Sequence, residues 1–507
     1  MTFPIADRHV GPALWFKQRA VVLVLLVAIA DLLFYDRPAA GLPTALFLGL
    51  LFTVTAVFNR LHSSMGVRLA ALALVVAAVA ALAADADPLS VPLVICLSAA
   101  GAVLLVHGGI GWAAVAGLAA WIPFGGWLRF ISDIERVRRA ACRRARPRFD
   151  VFGWVVTVGL SLFFLLVFLT ANPVIERWAA LMRPDRLMLV DGPRIVFWLA
   201  MAMMIWPLLH LVRSRLAVTL PFGWPVANGR WSGFLGQAAI RRSLVSFNLL
   251  FALQTLTDAG YLWGGADLPD GMTHAEYAHR GAYPLMAAAM VAAAFVLVAL
   301  RGSPDERQSR SLKPLLLMFV GQGLVLIVSS MLRLDLYVEA YSLTLWRVAA
   351  FVWMGLVAFG FLTILVRIFA GHSTRWLLSA NVGAAILTLW VCCFVDFAGL
   401  VTGFNIAHSR EATGEGPELD LTYIALAFGP RAIPALDARR DLLAGHGKYW
   451  VGHFEGAWTG VSLDDWRDRA ADQLLAGQQT WRTWSFADWR LRRYLSEAPR
   501  WTASQPR

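Results

Sequence analysis

Apolar runs close to the ~20 residues that cross a bilayer core of ~30 Å recur along this chain, and no other feature restricts its fold so strongly. They occupy 20–35, 43–58, 69–84, 91–107, 151–170, 195–212, 243–263, 282–300, 314–332, 345–369 and 376–401. At membrane depth every backbone polar group must be satisfied internally, which leaves helices or closed barrels. Runs of this length are helical. Only 15% of the residues are charged, against about a quarter in soluble domains, and the mean hydropathy is +0.61. The expectation is an all-α polytopic membrane helix bundle with about eleven transmembrane helices.

A net charge of +12 raises the question of nucleic acid. Loop charges answer it. Alternate loops hold 24 and 8 of the Lys plus Arg residues, and the tail beyond the last run holds 13, balanced by 13 Asp plus Glu. That alternation is the cytoplasmic bias of membrane topology, so no nucleic-acid partner is expected. It places the N-terminus and the loop carrying Arg136, Arg138, Arg139, Arg143, Arg144, Arg146 and Arg148 inside, and the tail outside. The stretch 111–127, rich in Gly and Trp and broken by Pro123, then has to lie in the interface. Ala28-Ile29-Ala30 looks like a leader cleavage site, yet the run continues through Tyr35, so an uncleaved first span is expected.

Three regions follow. Residues 1–150 form an N-terminal part of four spans, an interfacial helix and the Arg-rich loop. Residues 151–401 form a core of seven spans, and 402–507 a soluble, helical, Trp-rich tail. In the tail, Ser462 with Asp465 and Ser485 with Asp488 have the spacing of helix-capping pairs. Its Trp450, Trp458, Trp466, Trp481, Trp484, Trp489 and Trp501 either fill a small core or offer a docking surface to a membrane or periplasmic protein partner.

Cys96, Cys392 and Cys393 lie in apolar runs and Cys142 in the Arg-rich loop, so they read as packing residues, with no metal knuckle or disulfide pair. Gly108-Gly109-Ile110-Gly111 lacks the strand-to-helix setting of a dinucleotide loop. No HExxH or Gly-x-Ser-x-Gly is present, and neither a cofactor nor a metal is expected.

Three segments carry a family resemblance: 273–281, 332–344 with Arg347 and Met354 after it, and 419–423 with 429–436. Together with Thr170-Ala171-Asn172-Pro173-Val174, they make residues 150–445 resemble a bacterial multipass membrane family catalogued as domain of unknown function 4173. The resemblance implies a bacterial inner-membrane location and no activity. Three positions depart from that family's pattern: Asn172 stands where it often has Asp, His279 where Arg is expected, and Ser342 where Gly is expected.

Polar side chains concentrate at one membrane face between 248 and 347. Asp258, Glu276, Tyr277, His279 and Arg280 precede or form one outer loop; Arg333, Asp335, Tyr337, Glu339, Tyr341 and Arg347 form or border another. Asn248, Thr255 and Asp258 share one helical face, as do Gln322, Ser329 and Arg333. Polar groups at such depth point into the bundle, so these faces are expected to meet each other or a hydrated cavity, with Asp258 and Arg333 as a pair. One reading is a pocket in which His279, Glu276 and Asp258 exchange protons while Arg280, Arg333 and Arg347 hold an anionic, lipid-linked substrate. The other is a structural ion-pair network with an aromatic belt. Asp31 and Asp396 read as ion or proton sites or, for Asp31, as an interfacial group. His210 reads as a snorkelling or hydrogen-bonded histidine, and Pro207 as a kink. The three functions open to such a chain are an envelope scaffold or sensor partner, a membrane enzyme or carrier for an anionic substrate, and an ion-coupled transporter.

Overall fold

The computed structural model describes residues 12–36, 41–61, 63–85, 90–108, 192–213, 237–260, 306–444, 450–451, 461–477 and 480–501, with single positions between 110 and 133. Two compact units divide the chain: Met1–Leu220 with Thr480–Ser485, and Pro221–Gln479 with Phe486–Arg507.

The first unit contains α1 (Pro12–Phe34), α2 (Leu42–Phe58), α3 (Met65–Ala84), α4 (Ser90–His107) and α5 (Gly192–Ile205). Small residues let α3 and α4 approach closely. A side chain at Gly101 would stand 2.9 Å from the Ala71 carbonyl oxygen, so the crossing needs glycine there. After Ile205 the chain tightens into a 3-10 segment, Trp206–Arg213, where His210 leaves helical geometry (φ −157, ψ 51). Pro207 has no N–H to continue the helix, and the carbonyls beside the break at His210 need other donors. Asn59 Nδ2 donates to Leu208 O at 2.8 Å and Arg19 Nε to Leu209 O at 3.0 Å. Residues 480–485 lie against the end where α1 finishes, Arg482 Nη1 donating to Leu33 O at 3.0 Å.

In the second unit α6 (Gln237–Asp258) runs alongside α7 (Glu306–Tyr341) in the same direction. Asn248 Nδ2 reaches Leu315 O at 3.2 Å, and the Phe251 and Phe319 rings lie 5.0 Å apart. Phe361 of α8 (Leu345–Ala370) fills the notch at Gly323, where a Cβ would stand 2.3 Å from its ring. α9 (Thr374–Cys392) starts at Ser373, whose hydroxyl accepts from Trp376 N.

Two expectations are corrected here. Residues 332–344 are not a loop: α7 continues for 36 residues to Tyr341, ~54 Å at 1.5 Å per residue, leaving 342–344 as the connection. Charged residues end an apolar run, but they do not end a helix whose Leu334 and Val338 stay buried one turn apart. The last run is not one continuous helix to 401: α9 ends at Cys392, and α10 (Phe397–Ala407) departs at 74°, as a broken span or a re-entrant turn. Asp396 sits at that break. It is the half-exposed cap of α10, accepting from Gly399 N at 2.9 Å and pairing with Arg490 at 3.5 Å.

The rest of this unit folds as a small module of α11 (Arg410–Thr413), α12 (Leu421–Phe428), α13 (Ile433–Asp437), α14 (Arg440–Ala444), α15 (Leu463–Ala476) and α16 (Phe486–Glu497). One short antiparallel pair, β1 (Trp450–Val451) with β2 (Val461–Ser462), adds to the helices. The expected cap forms at Ser462, whose hydroxyl accepts from Asp465 N at 3.2 Å. Ile406, Leu421, Ile424, Leu436, Leu463 and Trp501 build the core, so part of the tryptophan content is packing. Trp489 on α16 remains exposed, as do Trp481 and Trp484 in the first unit's segment 480–485.

Among the described residues five helices are long and apolar enough to cross a membrane, or six if the bent pair at 376–407 is one span. Large apolar side chains also face outward on α6, such as Leu249, Leu253 and Leu256, which water would penalise and lipid does not. This is a helical membrane protein. The runs 151–170 and 282–300, and most of 111–127, lie outside the described residues.

Candidate functional site

The predicted polar rim is only partly assembled. Glu276, Tyr277, His279 and Arg280 lie outside the described residues, as does the side chain of Asp258, whose backbone closes α6. α6 and α7 are joined by Asn248, which donates to Leu315 O, and on α7 Ser329 and Arg333 are buried, Arg333 only 2% exposed.

Along α7 the rim residues separate by face. At 100° per residue, Arg333, Tyr337 and Tyr341 share one side while Asp335 and Glu339 turn to the opposite, exposed side. On α7 the two carboxylates therefore turn away from Arg333. Arg347, in the first turn of α8, closes the corner. Its Nη1 donates to Tyr341 O at 2.6 Å and to Ser342 O, and its guanidinium lies 4.4 Å over the Tyr337 ring. Tyr337 and Tyr341 pack at 4.8 Å. A cation at a helix C-terminus satisfies carbonyls that have no further helical donors. Among the described residues, the contacts of Arg347 are with two backbone carbonyls and the Tyr337 ring.

The corner turns at Ser342, which has φ +66. L-residues disfavour that region by about 1–2 kcal/mol, which accounts for glycine being the residue expected there. Ser342→Gly is expected to stabilise the protein by about 1 kcal/mol, seen as a higher thermal midpoint in detergent. An unchanged midpoint would mean that the serine is not strained.

Sequence reasoning missed the residue that holds the corner. Asn405, on α10, accepts from Leu343 N at 2.7 Å and donates back to Leu343 O at 2.9 Å, both buried. Tyr423 Oη accepts from Leu345 N at 2.9 Å. Val338, Leu343 and Val401 pack beneath, with Phe404 and Phe428. The segments 332–344, 419–423 and 429–436, far apart in sequence, thus belong to one assembly in which the module docks onto the α7–α8 corner. The available signal was an asparagine within the otherwise apolar run Phe404–Ala407.

The first unit holds two further clusters. Asp31 takes a forked ion pair from Arg194 (2.8 and 2.5 Å) and a bond from Trp198 Nε1 at 2.8 Å. Arg194 lies 5.2 Å over Tyr35. Asp31 is thus held by an arginine and an indole N–H near the end of α1. At the other end of the unit His210 Nε2 stands 2.6 Å from Asp133 Oδ2, which also accepts from Trp206 Nε1 at 3.2 Å. Both partners are almost wholly buried. His210 is thus hydrogen-bonded rather than snorkelling, and its partner lies 77 positions away. The imidazole lies between the Trp15 and Trp206 rings, and the pair ties down a break in the helix. Among the described residues no group of three metal-ligating side chains occurs.

Neither a curated protein nor a solved structure matches the chain. The resemblance to family 4173 is corrected in its number, while its character as a family without known activity stands. The chain belongs to the family described as "Domain of unknown function (DUF4153)", whose model matches residues 46–438.

Proposed function

We propose that the chain is a bacterial inner-membrane scaffold that holds its C-terminal module at the outer membrane–water boundary for a membrane or periplasmic protein partner. The observation that carries this reading is the use of the rim: Leu343, Leu345 and Arg347 engage the module or the helix end, not an open cavity. Exposed Phe486, Trp489 and Leu426 give the module apolar anchors of the kind that dominate interfaces. Loop charge supports a cytoplasmic N-terminus, about eleven spans and a periplasmic module.

Complementation of a chromosomal deletion tests it. Glu276→Ala, His279→Ala and the pair Asp335→Ala with Glu339→Ala should restore the wild-type phenotype, whereas truncation before Val461 should not, at matched membrane abundance. If the point variants fail at normal abundance, the enzyme or carrier reading replaces the scaffold. Thiol labelling of a cysteine placed at Arg410 in intact cells checks the side of the module. Protection from an impermeant reagent would reverse the proposed topology.

A further inference from the structure

The first unit encloses a cavity of about 420 Å³ among α1 to α5. Phe47 and Leu51 of α2, Val94 and Ala102 of α4, and Met201 and Ile205 of α5 form much of its wall. Its size lies in the range of sites for organic ligands, about 300–1,000 Å³. Its lining is hydrocarbon or thioether apart from three hydroxyl residues, Thr44, Thr55 and Ser98. Thr55 donates its hydroxyl to Leu51 O at 2.8 Å, and the Ser98 hydroxyl is buried without a partner among the described residues. A buried water needs about two to four polar partners. Among the described residues the lining offers only these three hydroxyls, one of them already bonded to backbone, so the cavity suits an apolar occupant.

Shape and position narrow the choice. The lining spans Thr44 to Thr55 on α2 and Val91 to Ala102 on α4, ~16 Å along each helix at 1.5 Å per residue. That is the depth of one leaflet of a ~30 Å core. The deep end, at Thr55, Val75 and Ala102, is buried, while Val91 at the other end is 43% exposed. Phe34, at that open end, lies one turn beyond Asp31, and there Tyr35, Trp198 and the forked Asp31–Arg194 pair stand together. Aromatic and arginine side chains at a helix end mark the headgroup zone.

We infer that this cavity is a lipid site, taking one acyl chain of a bilayer phospholipid whose headgroup rests beside Tyr35, Arg194 and Trp198. The inference is independent of the scaffold reading, because it uses no residue of the rim or the module.

The full-length protein in phosphatidylethanolamine vesicles tests it, with a diazirine at the end of one acyl chain as the probe. Irradiation should give adducts on peptides containing Thr55, Val75, Ala102 or Ile205. Ala102→Phe, which fills the deep end, should reduce those adducts at least tenfold and leave those at the outward Leu46 and Val76 unchanged. Ser98→Leu, a smaller filling, should do the same if Ala102→Phe does not fold. Adducts confined to outward residues, or deep adducts that survive both substitutions, would overturn the site. So would deep labelling by a diazirine fatty acid but not by the phospholipid.

Discussion

Asp437→Ala should destabilise the C-terminal module by about 3–5 kcal/mol, the usual result of removing one partner from a buried ion pair. Arg467 is 2% exposed, and three of its donors are taken: Nε and Nη2 by the two Asp437 oxygens at 3.1 and 2.6 Å, Nη1 by Asp468 at 3.0 Å. Burial pulls the guanidinium pKa down, but the bonds and charges of Asp437 and then Asp468 outweigh it and hold the group above its ordinary value. Without Asp437 the desolvation remains and most of the compensation goes. The double change Asp437→Leu with Arg467→Leu should cost less than the single one, since no uncompensated charge is left. Limited proteolysis of the detergent-solubilised protein reads the difference. Cleavage within 461–501 should accelerate strongly in the single variant and less in the double, while α7 and α8 stay intact. Equal cleavage in wild type and single variant would show that the pair is dispensable.

The same carboxylate shapes the alkaline limit of the module. Burial first, and then Asp437, which takes the Tyr494 hydroxyl at 2.9 Å, push the Tyr494 phenol up to about 12. The folded form thus holds a proton that the unfolded chain releases near its ordinary pKa of ~10. That contribution is full below pH ~10 and disappears as pH rises toward 12. Tyr494→Phe should flatten the decline in module stability over this window, measured by the same proteolysis at stepped pH. An identical decline in the variant would place the alkaline sensitivity elsewhere.

Local rules made much of this architecture legible. Apolar runs located α2, α3, α4 and α8 to within a few residues, because length and hydropathy are what a bilayer selects. The Ser462 cap and the break after Pro207 were readable because their cause lies within one helical turn. Proximity in sequence misled at the rim. Asp335 and Glu339 are neighbours of Arg333 along the chain, yet a helix turns them to its far side. The long-range pairs, Asp31 with Arg194 and Asp133 with His210, were beyond reach for the opposite reason. Each joins groups that only packing brings together, and no spacing rule encodes them. Asn405 was overlooked on both counts, being a lone amide in an apolar helix whose partner is a backbone 62 positions away.

Asn405→Leu should detach the module from the α7–α8 corner. Leucine keeps the approximate volume but leaves the Leu343 N–H and C=O buried without the amide that satisfies them. Each orphaned group costs about 1–3 kcal/mol, so about 2–6 kcal/mol is expected for the two. Hydrogen exchange in lipid nanodiscs should then rise roughly 30- to 20,000-fold at the Leu343 and Leu345 amides, at about 1.4 kcal/mol per tenfold. Residues 316–330, within the α6–α7–α8 packing, should keep their protection. Tyr423→Phe removes only the acceptor of Leu345 N, worth about 1 kcal/mol, and should show a smaller rise at that amide alone. If both variants exchange alike, or neither differs from wild type, the corner is held by Val338, Leu343 and Val401 packing rather than by these bonds. If the graded order appears, the polar groups of the rim have a measured structural use. The scaffold reading then gains its mechanical element: a two-point clamp through which displacement of the module is felt by the α7–α8 corner.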